Sequence, residues 1–283
     1  MSPKMARDFY RNVLDALEAA QIPVLIGGAF AQEYFTGVSR NTKDLDLFLM
    51  ESRLKDALDA LERRGYRTEV TFAHWLAKAY DHDAATFVDI IFNSGNGLCK
   101  VDESWFKNAP AGEVFNRPVK FCPLEETIWQ KAFIMERERY DGADVAHLLR
   151  AQSHRLDWHR LFNRFGDHWR VLLSYIVLFG YIYPAERSKI PKWVQSELAA
   201  MFAHEIGTDA AGESVCAGTF LSRAQFAVDV AEWGYRDLRT PELMSSEAVE
   251  RWTAAAVEES TTARLVVNNQ STPTHARSPA PKE

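Results

Sequence analysis

The sequence predicts an α+β fold: a small mixed β-sheet domain with helices, followed by a C-terminal helical bundle. Three observations carry that reading. Short apolar runs alternate with helical spacings through about residue 120. From Pro123 onward the spacings are helical alone, and a glycine pair, Gly27-Gly28, sits where the first apolar run meets a helix. The expected division is an α/β domain over 1–122 and a helical domain over 123–240. A tail over 241–283, where apolar density falls and Ser, Thr, Pro and Lys accumulate, reads as disordered.

Each element has a local reason. Over Asp8 to Ala20, Val13, Leu14 and Leu17 recur at helical spacing. Pro23 ends that helix and Val24-Leu-Ile starts a strand. Ala29 to Phe35 reads as a short helix opened by the glycines, and Asp44 to Met50 as a strand. Ser52 to Arg64 is a helix with Ser52 as its cap and Gly65 as its stop. Arg67 to Phe72, Leu76 to Tyr80 and Thr86 to Phe92 are strands, two of them separated by the polar turn Asp81-His-Asp, and Val114 to Phe121 adds another. Leu124 to Glu138, Asp144 to Gln152, Trp158 to Phe165, Trp169 to Tyr183 and Lys192 to His204 are helices, with Asp157 and Asp167 as candidate caps. Ala210 to Gly218 is a loop, and Phe220 to Trp233 reads as one more helix.

Composition narrows the function classes. A formal charge of −6 argues against a general polyanion-binding surface, although a local basic groove remains compatible with it. Cys99, Cys122 and Cys216 are scattered and form no C-x-x-C, which fits a reducing cytoplasm without a disulfide framework or zinc site. The N-terminal residues carry no apolar signal segment. The longest apolar run, Val171 to Tyr183, is too short to span a bilayer, so no membrane is expected as a partner.

The chemistry is concentrated in three carboxylates. Asp44 and Asp46 stand i, i+2 on a strand and project from one face, roughly 6–7 Å apart at the backbone. Asp46 is flanked by Leu45, Leu47, Phe48 and Leu49, and Asp89 by Phe87, Val88, Ile90 and Ile91. Acids in strands this apolar are costly unless a cation offsets them, and divalent metal does so well. If all three face one cleft they could hold two Mg²⁺ ions, with Mn²⁺ as the alternative. Gly27 and Gly28, just before a short helix, offer backbone N–H groups to an anion. Arg40 and Thr42, upstream of the acids, are candidate phosphate contacts. Lys131 has no acidic neighbour at i±3 or i±4 and lies beside an apolar stripe, so its head is expected to reach a triphosphate oxygen or a partner carboxylate. Asp141 and Asp144 bracket the turn into the next helix, where capping and a functional role compete for Asp141. Arg150, Arg155, Arg160, Arg164 and Arg170 lean toward RNA, diluted by Asp157 and Asp167.

Taken together, the glycine pair, Asp44-Leu-Asp46 and Asp89 resemble the nucleotidyltransferase superfamily of polymerase-β type. The likeness is nearest to its minimal and abortive-infection toxin-like bacterial branch, through Arg40 to Leu47 (Arg-x-Thr-x-Asp-Leu-Asp-Leu) and through Lys131, Arg139, Asp141 and Asp144. It covers residues 20 to 150 well and the bundle loosely, and it departs at Tyr140, where that branch has Lys. The resemblance implies a Mg²⁺-dependent enzyme that transfers a nucleoside monophosphate from an NTP to a hydroxyl of RNA, tRNA or protein. It implies Asp44, Asp46 and Asp89 as metal-holding catalytic residues, and Gly27, Gly28, Arg40, Thr42, Lys131 and Asp144 as nucleotide contacts. A toxin-like protein with an antitoxin partner is the corresponding biological expectation. A small-molecule (antibiotic) adenylyltransferase and a catalytically inactive nucleotide-binding module are the alternatives.

Overall fold

The fold was analysed in a computed structural model, which describes residues 3–39, 44–82, 85–208 and 212–256. The elements in chain order are α1 (Pro3–Ala19), β1 (Leu25–Ile26), α2 (Gly28–Thr36), β2 (Asp44–Phe48), α3 (Leu54–Glu62), β3 (Arg67–Phe72), β4 (Leu76–Tyr80), β5 (Phe87–Ile91), α4 (Glu103–Asn108), β6 (Ala111–Val114) and β7 (Arg117–Lys120). They continue with α5 (Leu124–Ala132), α6 (Gly142–Gln152), α7 (Trp158–Phe165), α8 (Trp169–Ile182), α9 (Lys192–Ile206), β8 (Val215–Cys216), α10 (Ala227–Ala231) and β9 (Arg236–Asp237).

Five strands form one mixed sheet in the order β1-β2-β5-β4-β3. β2 and β5 pair in parallel; the other neighbours are antiparallel. Alternation sets the two faces. Leu45 and Leu47 on β2, with Val88 and Ile90 on β5, are buried against the helices on one side, which leaves Asp44, Asp46 and Asp89 on the other. On the buried side α1 contributes Phe9, Val13, Leu14 and Leu17, the helical spacing read from the sequence. The region 114–121, expected as one strand, is instead part of the hairpin β6–β7. Phe115 and Asn116 turn it with φ of 58° and 59°, and the Phe115 ring stacks on Tyr10.

The helical half shares one continuous core with the sheet. Ile128, Leu148, Leu172, Val194 and Leu198 join the same buried cluster as Leu25 and Val88. Glu126 of α5 is fully buried and accepts from Arg164 at 2.7 Å and from Arg160, while Arg164 also reaches Asp102 at 2.9 Å. Asp102 and Asp157 cap α4 and α7 by accepting from Ser104 and Arg160 backbone N–H groups. Asp167 caps nothing; it lies inside a short turn of 3₁₀ helix.

Three helical expectations are corrected. The helix expected over Leu124–Glu138 stops at Ala132. Beyond it, residues 135–140 fold back through a Met135–Tyr140 bridge, and the Met135 N–H is taken by the Leu221 carbonyl. The helix expected over Phe220–Trp233 is reduced to α10 after a 3₁₀ turn. Third, the disordered tail expected from 241 does not hold for 241–256. Residues 246–256 are helical, and Trp252 packs edge-on against Phe72, His74 and Trp75. That return covers the far end of the sheet, which gives this stretch an apolar surface to bury despite its polar composition. Residues 257–283 lie outside the described part of the chain. Among the described residues no helix is long and apolar enough to cross a membrane.

Candidate active site

The parallel pairing of β2 with β5 does the first work. It places Asp46 level with Asp89, while the pleat keeps Asp44 on the same face. One carboxylate oxygen from each of Asp44, Asp46 and Asp89 lies within 4.8 Å of the others. The three acids converge as the sequence predicted.

The glycine pair fits against them. Gly28 opens α2 with φ +54°, and a Cβ there would fall 1.6 Å from Asp46 Oδ2. A Cβ on Gly27 would fall 2.1 Å from the Phe48 ring. Both positions therefore exclude a side chain, because strand β2 and the start of α2 lie in contact. The Gly27 N–H donates to the Asp46 carbonyl at 3.0 Å, which fixes the turn. No side chain caps the N-terminus of α2, and Gly27, Gly28 and Ala29 line the cleft beside the acids.

Crowding is visible in the acid strengths. Burial, with the charges of Asp44 and Asp89, raises Asp46 from 3.8 to about 7, against the opposing pull of Arg139 and Lys131. Burial also raises Asp89, opposed by Lys78. The Tyr10 hydroxyl is pushed up to about 12, first by burial and then by the same three acids. A divalent cation suits these donors: they are oxygen-only, hard and close, and they carry more negative charge than the protein nearby offsets. Either one ion or a pair about 3.5–4 Å apart matches this spacing.

One neighbour was not anticipated. Lys78 of β4 lies directly across from Asp89, and its Nζ donates to Asp89 Oδ1 at 2.6 Å. The same ammonium sits 4.1 Å from the Phe87 ring centroid. In the sequence Lys78 reads as one polar residue of an alternating strand. Its register against β5 could not be known without the sheet order.

Of the two partners expected for Lys131, the carboxylate is the one seen. Lys131 points to carboxylates: its Nζ is 2.7 Å from Asp144 and 3.3 Å from Asp141. Asp144 is buried beneath it and receives the Gln32 side chain at its backbone carbonyl, so it supports Lys131 from behind. Asp141 does not cap α6 with its side chain. Burial pushes its carboxyl up, but Lys131 and Arg139 outweigh this and hold it below the usual range. Arg139 forks onto Asp141 with two N–H groups at 3.2 Å while its side chain stays 66% exposed. The foldback at 135–140 carries Arg139 to the mouth, where its charge acts on both Asp46 and Asp89. Arg40 and Thr42 lie outside the described residues.

These groups line a cavity of about 710 Å³ between the sheet and the helical half. The glycines, Lys131 and Arg139 line it, as do Trp75, Arg223 and Trp252, which touch one another: Trp252 packs edge-on against Trp75, and the Arg223 guanidinium lies 3.5 Å from a Trp252 ring centroid. The segment 219–223 is tied to the sheet domain and to the foldback: Asn96 donates to the Phe220 carbonyl, and Glu136 accepts from Ser222 and the Arg223 N–H. The arginines read as leaning toward RNA are largely engaged. Arg150 pairs with Glu186, Arg160 and Arg164 with Glu126, and Arg170 with Glu205.

Residues 4–173 match the model of a family described as uncharacterised nucleotidyltransferase. No curated protein sequence matches the chain. Among solved structures, the chain is similar to the antibiotic-resistance factor ANT(2'')-Ia, at 18% identity and a TM-score of 0.38, over 73% of this chain and 100% of that one. It is similar to the lincosamide antibiotic adenylyltransferase LnuA at 15% identity and 0.38, over 54% and 99%. It is also similar to an antigenic nucleotidyltransferase-like protein from Paracoccidioides brasiliensis at 15% and 0.43, over 67% and 93%.

Proposed function

The chain belongs to this family of uncharacterised nucleotidyltransferases, and from that premise we propose that it transfers a nucleoside monophosphate from an NTP to an acceptor hydroxyl, with Mg²⁺ or Mn²⁺ held by Asp44, Asp46 and Asp89. The convergence of those three carboxylates beside a side-chain-free helix start carries the reading. The bound metal would neutralise charge on the phosphates and lower the barrier to in-line displacement at phosphorus. The rest falls to this chain's own groups. Backbone N–H groups at Gly28 and the residues after it bind phosphate oxygens, and the missing side chain at Gly28 lets the Asp46 carboxylate lie against that same turn. Arg139, at the mouth, adds positive charge, with Lys131 holding Asp141 and through it Arg139 in place. Asp89, one strand further from the glycines, is the acid placed to accept the acceptor proton.

The paired state of Arg150, Arg160, Arg164 and Arg170 favours a second reading of the acceptor. It is a small hydroxyl compound entering the cavity that Trp75 and Trp252 help to line, rather than a long RNA lying across the helices. The test of both is incubation of the full chain with each α-labelled NTP, divalent metal and either cell extract, purified RNA or a small-metabolite fraction. Label should move to an acceptor, and folded Asp46→Asn should transfer none. Equal transfer by the variant rejects the assignment. Growth arrest on expression that Asp46→Asn abolishes is the outcome expected of a toxin-like protein.

A further inference from the structure

Lys78 is the one feature at the acid cluster that the proposed reaction does not call for. It is the cross-strand neighbour of Asp89 and holds Oδ1 at 2.6 Å, with only 19% of its side chain exposed. The Phe87 ring lies 4.1 Å from the same Nζ and confines it from another direction. The other charged groups acting on Asp89 are Asp44 and Arg139, and Arg139 is already engaged by Asp141. Lys131 is committed to Asp144 and Asp141. Lys78 is therefore the cation in direct contact with Asp89 among the described residues.

We propose that Lys78 is a positioning residue acting as a resident counter-cation for Asp89: it leaves that carboxylate one free oxygen and makes metal uptake at Asp89 depend on bound nucleotide. The inference rests on the metal-site reading above. A divalent ion on Asp89 would sit within a few ångströms of a fixed ammonium, and in a partly buried site that repulsion is screened weakly. In the absence of nucleotide the ammonium already offsets the Asp89 charge, so the gain from adding an ion there is small. A triphosphate bound at the glycine turn adds several negative charges and reverses the balance. The first ion would sit toward Asp44 and Asp46, on the strand that lies against the glycine turn, and Asp89 would join when the nucleotide arrives. Premature loading of the reactive acid is thereby discouraged by a side chain on the adjacent strand.

The experiment measures binding, not turnover. Free Mn²⁺ is followed by electron paramagnetic resonance in titrations of the full chain, with Asp46→Asn as the background. Wild type, Lys78→Met and Lys78→Arg are each titrated with and without a non-hydrolysable ATP analogue. Methionine keeps the stem that packs on Phe87, and arginine keeps the charge. Lys78→Met should bind Mn²⁺ about tenfold more tightly, or with one more site, in the absence of nucleotide. That gap should shrink when the analogue is present, and Lys78→Arg should follow wild type. Equal or weaker nucleotide-free binding by Lys78→Met overturns the inference while leaving the metal site standing. No Asp46-dependent binding in any protein overturns both. Should Lys78→Met not fold, wild type decides alone: full Mn²⁺ occupancy without nucleotide refutes the idea, and occupancy that rises with the analogue supports it.

Discussion

Asp46 is the group whose removal has the most informative effect on stability. Its carboxyl is raised from 3.8 to about 7 by burial and by Asp44 and Asp89. A raised carboxyl binds more protons in the folded than in the unfolded chain, so stability falls as pH rises from about 4 to about 7 and stays lowered above that. The shift corresponds to about 4 kcal/mol at neutral pH, an upper figure because neighbouring acids and bound cations relax part of it. Asp46→Asn removes the titration while keeping the shape. The metal-free variant should therefore be more stable than wild type at pH 8, and its advantage should grow by about 3 kcal/mol between pH 5 and pH 8. Urea unfolding in the presence of a chelator, followed by circular dichroism, measures this directly. Adding Mg²⁺ or Mn²⁺ should then stabilise wild type by mass action and leave the variant nearly unmoved. Parallel pH profiles for the two proteins would refute the claim that Asp46 is held in a crowded, half-buried acidic cluster.

Two further substitutions test the surroundings. Gly28→Ala puts a methyl where Asp46 Oδ2 now lies and asks a residue with φ +54° to accept a side chain. It should cost about 1–3 kcal/mol of stability and lower transfer by at least about a hundredfold, read from chemical denaturation and single-turnover rates. Lys131→Met removes the ammonium that pairs with the buried Asp144 and Asp141, so it should destabilise by about 3–5 kcal/mol. Combining it with Asp144→Asn should recover a sizeable part, a coupling that a double-mutant cycle in urea resolves.

Much of the acid cluster was legible because strand alternation is a strict rule. Two carboxylates at i, i+2 share a face in any sheet, and Leu45 and Leu47 declare which face is the dry one. Gly27-Gly28 was legible for a similar reason, since a paired glycine at a strand-to-helix turn signals close approach. What escaped depends on pairings between distant segments. Lys78 meets Asp89 because β5 inserts beside β4, and nothing within five residues of either announces it. Lys131 meets Asp144 because the helix breaks after Ala132, where Met135 finds Leu221, a partner 86 positions downstream by number. The run 241–256 looked too polar to order itself, yet Trp252 gains its burial from rings on a strand almost 180 residues earlier, much as Arg251 reaches the Thr71 carbonyl across |i−j| of 180.

The middle strand of the sheet is also the last of its five in sequence. Before that strand slots in, the first pair of acids and the third are carried on separate pieces of chain and scarcely feel one another. The mutual repulsion of the triad therefore exists only where β2 and β5 are paired, and the apolar burial on the opposite face of the same strands is what opposes it. A chain in which these strands are unpaired has no complete chelate to offer a passing ion.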